Sequence, residues 1–538
     1  MKLQNITFCL CLLVVLFLNA RAEAATYTVK AGGGGNFTSI QGCADKAVAG
    51  DVCLVFAGRY DETPSLDTSG AAGKPITFSV NPGDCVAVAG FDLNSVSYVT
   101  IGTPGDSRCT NGSFSYSGFE IAGGQIGWKR INNVIIQNNY VHDTSGICMK
   151  GPASNSRGAS TYVYVLNNFF SVCGTRGAGL AGGMQVEGDH WLIDGNSFFH
   201  VEDGIYLYGA NMVVRNNTFG PLLASDYAAQ HPDGVESTCT RGKDFPLQHM
   251  LYEGNTTIDW GAGDSHGFLL RDTQSCGQTS NVIRFSQFIN LGSYWISNES
   301  NSTSELIYNN SVANTQAAAS AKDFSDLVFT KGDTGANVIN NVITNSWRAN
   351  NNGYCIYLDG LSQAGFVENH NLCFLSNWDG TWQQPFAGYN YSKTDIFNKD
   401  PRFVNAAGDL HLKAGSPAIG AGGPLAAAVG SGANSALLTV SNAGFFSDGY
   451  GLSGVQPDWI RIGDTTTVQI ASVNYSANVI TLANPISWPS GAPVYLYKNS
   501  NGVVVLNGKN PDIGAFPFGL TIESQAPLPP TSLQGLVQ

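Results

Sequence analysis

Asp203-Gly204-Ile205-Tyr206-Leu207-Tyr208, Asp233-Gly234-Val235-Glu236-Ser237-Thr238 and His266-Gly267-Phe268-Leu269-Leu270-Arg271 are three phrases built on one plan. In each, a polar residue precedes a glycine and an apolar residue follows it. Successive coils of a stacked repeat read this way when one position is kept for chemistry. Parallel strands lie about 4.8 Å apart, so neighbouring coils would hold Asp203 and Asp233 roughly that far apart, with His266 one coil further on.

The flanking sequence repeats too. Runs closing on Asn138-Asn139, Asn167-Asn168, Gly195-Asn196, Asn216-Asn217 and Gly254-Asn255 each follow a short apolar stretch. Asn tolerates left-handed backbone and stacks in ladders, so it suits a corner repeated coil after coil. A second family of short strands alternates with these, from Ile147 to Lys150, Met184 to Glu187, Ile205 to Tyr208, Val235 to Thr238, Phe268 to Arg271, Trp295 to Asn298, Val328 to Lys331 and Ile356 to Asp359. Their first and third residues should point inward and their second and fourth outward. Lys150, Glu187, Tyr208, Thr238, Arg271, Asn298, Lys331 and Asp359 would then share an outer column.

Composition agrees with short strands and tight turns. The 538 residues include 64 glycines, and only 12% are charged, which does not suit long solvated helices. Residues 1–24 read as a secretory signal, with Lys2, an apolar run from Phe8 to Leu18 and a small-residue site at Ala22-Glu23-Ala24. No other stretch has the ~18 apolar residues that would span a bilayer, so a secreted protein without a membrane partner is expected. Past the signal, cysteines fall in neighbouring couples, 43 with 53, 85 with 109, 148 with 173, 239 with 276 and 355 with 373, as disulfides within adjacent coils would require. A formal charge of −13 excludes a nucleic-acid partner and disfavours an acidic glycan unless a cation or basic patch intervenes.

Residues 25–125 read as an N-terminal cap with the first coils, including a helix around Ser39 to Val48. Residues 126–429 hold the repeat with its active face. Residues 430–502 read as a small inserted β-domain, 503–525 as the closing segment and 526–538 as a disordered tail. The entry segment, with the closing motifs Asp400-Pro401-Arg402-Phe403, Gly415-Ser416-Pro417-Ala418-Ile419-Gly420 and Pro511-Asp512-Ile513-Gly514-Ala515-Phe516, resembles the right-handed parallel β-helix, pectate-lyase-like superfamily. The resemblance covers most of residues 26–520. It implies an all-β solenoid with a capping helix, acting as a monomer on a polysaccharide. It leaves the reaction open, because that superfamily hosts lyases, hydrolases and adhesins.

Two carboxyls in register suit glycosidic cleavage, which needs one protonated carboxyl to help the leaving oxygen and one carboxylate as base or nucleophile. Asp203 and Asp233 are the candidate pair, with His266 orienting a carboxyl and Arg271 holding substrate; Asp before Gly also serves as a plain turn. Candidate substrate contacts are Lys150, Glu187, Tyr206, Tyr208, His231 and Glu236. The order Glu202-Asp203-Gly204, Pro232-Asp233-Gly234, Ser265-His266-Gly267 and Arg271 partly resembles polygalacturonase-type glycoside hydrolases, although the double Asp is single here and no Arg-Ile-Lys follows. On this reading no cofactor is required. The alternatives are a lyase, in which Glu187, Asp203, Asp233 and Glu236 gather Ca²⁺ while Arg271 or Lys150 takes the C5 proton, and a non-catalytic, adhesive glycan-binding solenoid.

Overall fold

A computed structural model describes residues 24–105, 109–111, 114–151, 160–174, 182–222, 232–238, 247–260, 265–271, 277–299, 301–315, 325–344, 354–375 and 384–520. Residues 1–23 and 521–538, on which most of the expected signal and all of the expected tail fall, lie outside the described residues, as do His231, Cys239 and Cys276.

The chain winds as a parallel β-helix. A front ladder runs through Phe91–Asn94, Ile126–Lys129, Met149–Lys150, Gly182–Asp194, Asp203–Ala210, Asp233–Thr238, His266–Arg271, Ile296–Glu299, Ser325–Thr330 and Tyr354–Leu358. A second ladder follows through Ser97–Ile101, Asn132–Gln137, Ser160–Leu166, Val213–Arg215, Leu251–Glu253, Val282–Arg284, Leu306–Tyr308, Asn337–Ile339 and Val367–Asn369. A separate 13-stranded parallel sheet, from Gly58–Tyr60 to Ile396–Phe397, closes the coil. The inward side chains form one continuous apolar column, including Val163, Ile193, Val214, Tyr252, Ile283 and Ile307.

The two halves of each Asn corner do different work. Asn138, Asn167, Asn216, Asn309 and Asn340 sit at φ of 53–61°, where the chain turns left-handed. The residue after each is wholly buried and hands a hydrogen bond to the next coil. The amide N–H groups of Asn139, Asn168 and Asn196 donate to the side-chain oxygens of Asn168, Asn196 and Asn217 at 2.9–3.0 Å. Asn217 continues the ladder to Asn255, Ser286 interrupts it with a hydroxyl, and Asn310, Asn341 and Asn371 resume it. The last acceptor is a carboxyl, Asp395 Oδ1, at 2.8 Å from Asn371 N.

The glycines of the opening motif have a packing reason. A Cβ on Gly183, Gly204 or Gly267 would stand 2.4–2.5 Å from a ring carbon of Phe198, Phe219 or Phe288 respectively. The Phe198 and Phe219 rings stack at 5.1 Å under the sheet. Close approach of these rings to the backbone therefore demands glycine.

Several expectations change in detail. The N-terminal helix is a single turn, Ile40–Ala44, shorter than the stretch from Ser39 to Val48, because Asp51 takes the Val48 N–H and ends helical bonding. Lys150 pairs with Gln185, not with Glu187, so it belongs to the second outer position. Trp295–Asn298 is read one residue early and Val328–Lys331 one residue late: Ile296 faces Phe268, and Leu327 faces Ile296, so Thr330 and not Lys331 takes the fourth place. The outer position beside Arg271 is thus Glu299, while Asn298 points inward. Apolar Trp295 misled the register because it is itself core, being fully buried.

Disulfides join Cys43–Cys53, Cys85–Cys109, Cys148–Cys173 and Cys355–Cys373. Residues 426–498 supply a six-stranded antiparallel sheet. It shares a hydrophobic cluster with the outer face of the second ladder, where Tyr164, Leu192, Val213 and Leu251 meet Leu438, Phe445, Ile460 and Leu482. Within that seam the Arg284 guanidinium, fully buried, forks onto Asp458 at 2.8 Å and also reaches Glu253 at 2.5 Å. No described helix is long and apolar enough to cross a membrane.

Candidate active site

The front ladder delivers its polar residues to one spot. Gly182 faces Asp203, Ile205 faces Val235 and Asp233 faces His266, so Asp203, Asp233 and His266 stand in line on three successive strands. Glu236 joins them from three residues beyond Asp233. One carboxylate oxygen each from Asp203, Asp233 and Glu236 lie within 4.8 Å of one another. All three residues and His266 are buried.

Each group is held. The Asp233 N–H donates to Asp203 Oδ1 at 2.8 Å, and the Tyr206 hydroxyl donates to Asp203 Oδ2 at 2.5 Å. His266 Nδ1 lies 2.6 Å from Asp233 Oδ1. The imidazole is stacked on Tyr294, with ring centres 5.5 Å apart and planes 6° from parallel. The Arg271 guanidinium donates through Nη2 to Glu236 Oε1. Burial, then the neighbouring Asp233 and Glu236 charges, push the Asp203 carboxyl well above the usual carboxylate range, outweighing the Tyr206 hydrogen bond. Burial and the adjacent carboxylates likewise raise the Tyr206 phenol, so it stays a donor. For Arg271, burial acts to lower the pKa, but Glu236 overrides it, and the guanidinium stays charged.

The remaining candidates fall elsewhere. Glu187 accepts from the Gln185 amide at 3.3 Å and is not one of the three converging carboxylates. Tyr208 is buried at 7% exposure. Lys150 is three strand steps from Glu236, through Gln185 and Tyr206, or roughly 14 Å at normal strand spacing. There it lines a shallow cleft with Asp92, Gln125, Trp128 and Lys129. Trp260 is core, its indole N–H donating to Pro232 O at 3.2 Å. Tyr294 in the role of a stacking support and Glu299 in the outer column beside Arg271 were not singled out for those places, because both follow from a register that the apolar pattern around residue 295 obscures.

No family model matches the chain, and no curated protein matches it. Among solved structures it is similar to pectate lyase Pel9A, at 15% identity over 74% of this chain and 91% of that one, with a TM-score of 0.38. A mannuronic-acid-specific family 6 polysaccharide lyase from human gut microbiota aligns at 14% identity over 70% and 92%, TM-score 0.41. The catalytic unit of the GH87 α-1,3-glucanase from Streptomyces thermodiastaticus aligns at 15% identity over 68% and 70%, TM-score 0.41. At TM-scores below 0.5, none of these carries a residue role over to this chain.

Proposed function

We propose that this protein is a polysaccharide-cleaving enzyme, a glycoside hydrolase in which Asp203 is the general acid and Asp233 the working carboxylate. The observation that carries the reading is the convergence of Asp203, Asp233 and Glu236 within 4.8 Å, with Asp203 driven toward its protonated form. A carboxyl that keeps its proton can give it to the leaving glycosidic oxygen, while a neighbour that loses its own acts as base or nucleophile. His266 orients Asp233 through Nδ1, and Tyr294 holds the imidazole flat. Arg271, fixed to Glu236, presents a charge to a substrate hydroxyl or carboxylate.

A Ca²⁺-dependent lyase is the second reading, and the same convergence favours it. Three carboxylate oxygens suit a hard cation, and Asp203, Asp233 and Glu236 would hold it while it neutralises a uronate carboxylate. The proton-abstracting candidates fit less well: Arg271 is charged and tied to Glu236, and Lys150 stands three strands off. Digestion of a panel of neutral and acidic polysaccharides, with and without chelator, tests both. Saturated ends that persist with chelator support the hydrolase. Unsaturated, ultraviolet-absorbing ends that vanish with chelator support the lyase. Binding without any product leaves the adhesive solenoid.

A further inference from the structure

Behind the strands His266–Arg271 and Ile296–Glu299, the interior of the solenoid stops being apolar. Leu270 faces Asn298, and Asn298 in turn faces Phe329, so one amide is inserted into an inward column of large apolar side chains. At the next corner Leu247 gives way to Gln278, Ser302 and Asp333 in successive coils, as the bonds from Thr279, Thr303 and Thr334 to the preceding coil show. One column over, Met250 gives way to Asn281 and Glu305 before Ala336 restores an apolar side chain. Gln278, Asn281, Asn298, Ser302, Glu305 and Asp333 are each at most 1% exposed.

These groups satisfy one another only in part. Asn281 Nδ2 donates to Glu305 Oε1 at 3.0 Å, and its own oxygen takes the Met250 N–H at 3.2 Å. Asp333 accepts the Ser302 and Thr330 N–H groups at 2.8 and 3.2 Å. Among the described residues, Glu305 Oε2 and Asn298 Nδ2 are buried with no hydrogen-bond partner. Leaving such atoms bare in an apolar interior is destabilising. The Gln278 amide nitrogen lies 3.5 Å from both Asn298 Oδ1 and Glu305 Oε1, which is long for a good hydrogen bond. With that amide turned over, its oxygen would lie 3.5 Å from Asn298 Oδ1 and from Glu305 Oε1, close to the roughly 3.4 Å between adjacent oxygens around a cation with bonds of about 2.4 Å.

We propose that this interior pocket is a structural site for a hard cation, calcium or sodium, bound by Glu305 with the side-chain oxygens of Asn298, Gln278 and Ser302 and with Asp333 supplying second-sphere charge. The site is separate from the Asp203–Asp233–Glu236 face, on the opposite side of the same sheet. Burial, ahead of all else, raises the Glu305 carboxyl to about 8, and the groups that act on it are Asn281, Asp333 and Gln278, none of them cationic. A bound cation supplies the missing countercharge.

The competing account is a Glu305 that simply keeps its proton, and the two differ in measurable ways. The full chain, exchanged into chelator-treated buffer, is assayed for retained metal and for melting temperature against Ca²⁺, Mg²⁺, Na⁺ and K⁺. The same is done for Asp233→Asn, which weakens any cation site on the outer face. About one equivalent of retained metal, or a melting temperature that climbs with one cation and not with its congeners, is expected in both proteins. Glu305→Gln should lose it; if that variant does not fold, Ser302→Ala should shift the cation midpoint at least several-fold. Wild type with neither retained metal nor a cation-dependent melting temperature overturns the proposal. So does Glu305→Gln melting at or above wild type with the cation response intact. A response that disappears in Asp233→Asn assigns the cation to the outer face instead and supports the lyase reading.

Discussion

Two columns of repeated polar residues run along this solenoid, and they behave in opposite ways. In the corner ladder, Asn196 offers both a donor and an acceptor, so its oxygen takes Asn168 N while its Nδ2 reaches Val165 O at 2.8 Å and Asn217 Oδ1 at 3.1 Å. An amide satisfies the copy of itself in the next coil. On the front face Asp203, Asp233 and Glu236 are acceptors alone, and stacking them adds repulsion that only a proton, a cation or Arg271 relieves. Repetition of amides builds structure, whereas repetition of carboxyls stores reactivity. Asp395 is the place where the two meet, a carboxyl ending the amide ladder against Glu368.

The sharpest way to break the comparison is to give the front face the chemistry of the corner. Asp233→Asn and Asp203→Asn should each lower polysaccharide turnover by about 10²–10⁴-fold, the usual worth of a positioned proton-transfer group. The melting temperature at neutral pH should hold or rise. The sign follows from linkage: Asp203 keeps its proton in the folded chain over a range where the unfolded chain has lost it, so stability falls as pH rises through that range. Turnover that survives in both variants removes the site. Wild-type turnover should also fall on the alkaline side as Asp203 loses its proton, a limb that Asp203→Asn should lack.

Breaking the corner should do the reverse. Asn196→Ala strips the bonds to Asn168 and Val165 from a fully buried position, at a cost of about 3 kcal/mol from the groups left unsatisfied, with catalytic constants unchanged in the protein that stays folded. Denaturant unfolding measures the first and steady-state kinetics the second. A pH-dependent effect is expected at the meeting point. Burial, then the Glu368 carboxyl, push Asp395 up to about 9. Between the ordinary carboxylate range near 4 and that value, the folded chain holds a proton the unfolded chain lacks, which costs up to about 1.4 kcal/mol per pH unit. Asp395→Asn should therefore raise the melting temperature by a few degrees at pH 8 and leave it nearly unchanged at pH 4.

How far the sequence could be read differs by element. Asp203, Asp233 and His266 each precede a glycine, compelled by a phenylalanine ring under the strand at Gly204 and Gly267 and by the Gly267 carbonyl at Gly234, so the motif keeps its register and the three residues line up in the sequence. Around Trp295 the glycine is missing, and three apolar or small residues in a row leave two registers equally plausible. The one-residue slip there hid both Glu299 beside Arg271 and the inward Asn298. Lys150 and Glu187 fall in one column on the apolar pattern for a related reason: the strand Met149–Lys150 is two residues long, too short to carry a period. His231 lies outside the described residues and remains an expectation.

By itself the sequence determined the winding of this protein, because strand alternation, Asn corners and neighbouring cysteine couples are local and repeat. It also determined which strands carry the carboxyls. Only the tertiary structure decided that Glu236, three residues from Asp233, turns into the same cluster while Glu187 does not, and that six polar side chains from three coils meet inside the core. Both outcomes depend on the register between coils, which pairs Glu236 with Tyr206 but Glu187 with Tyr208.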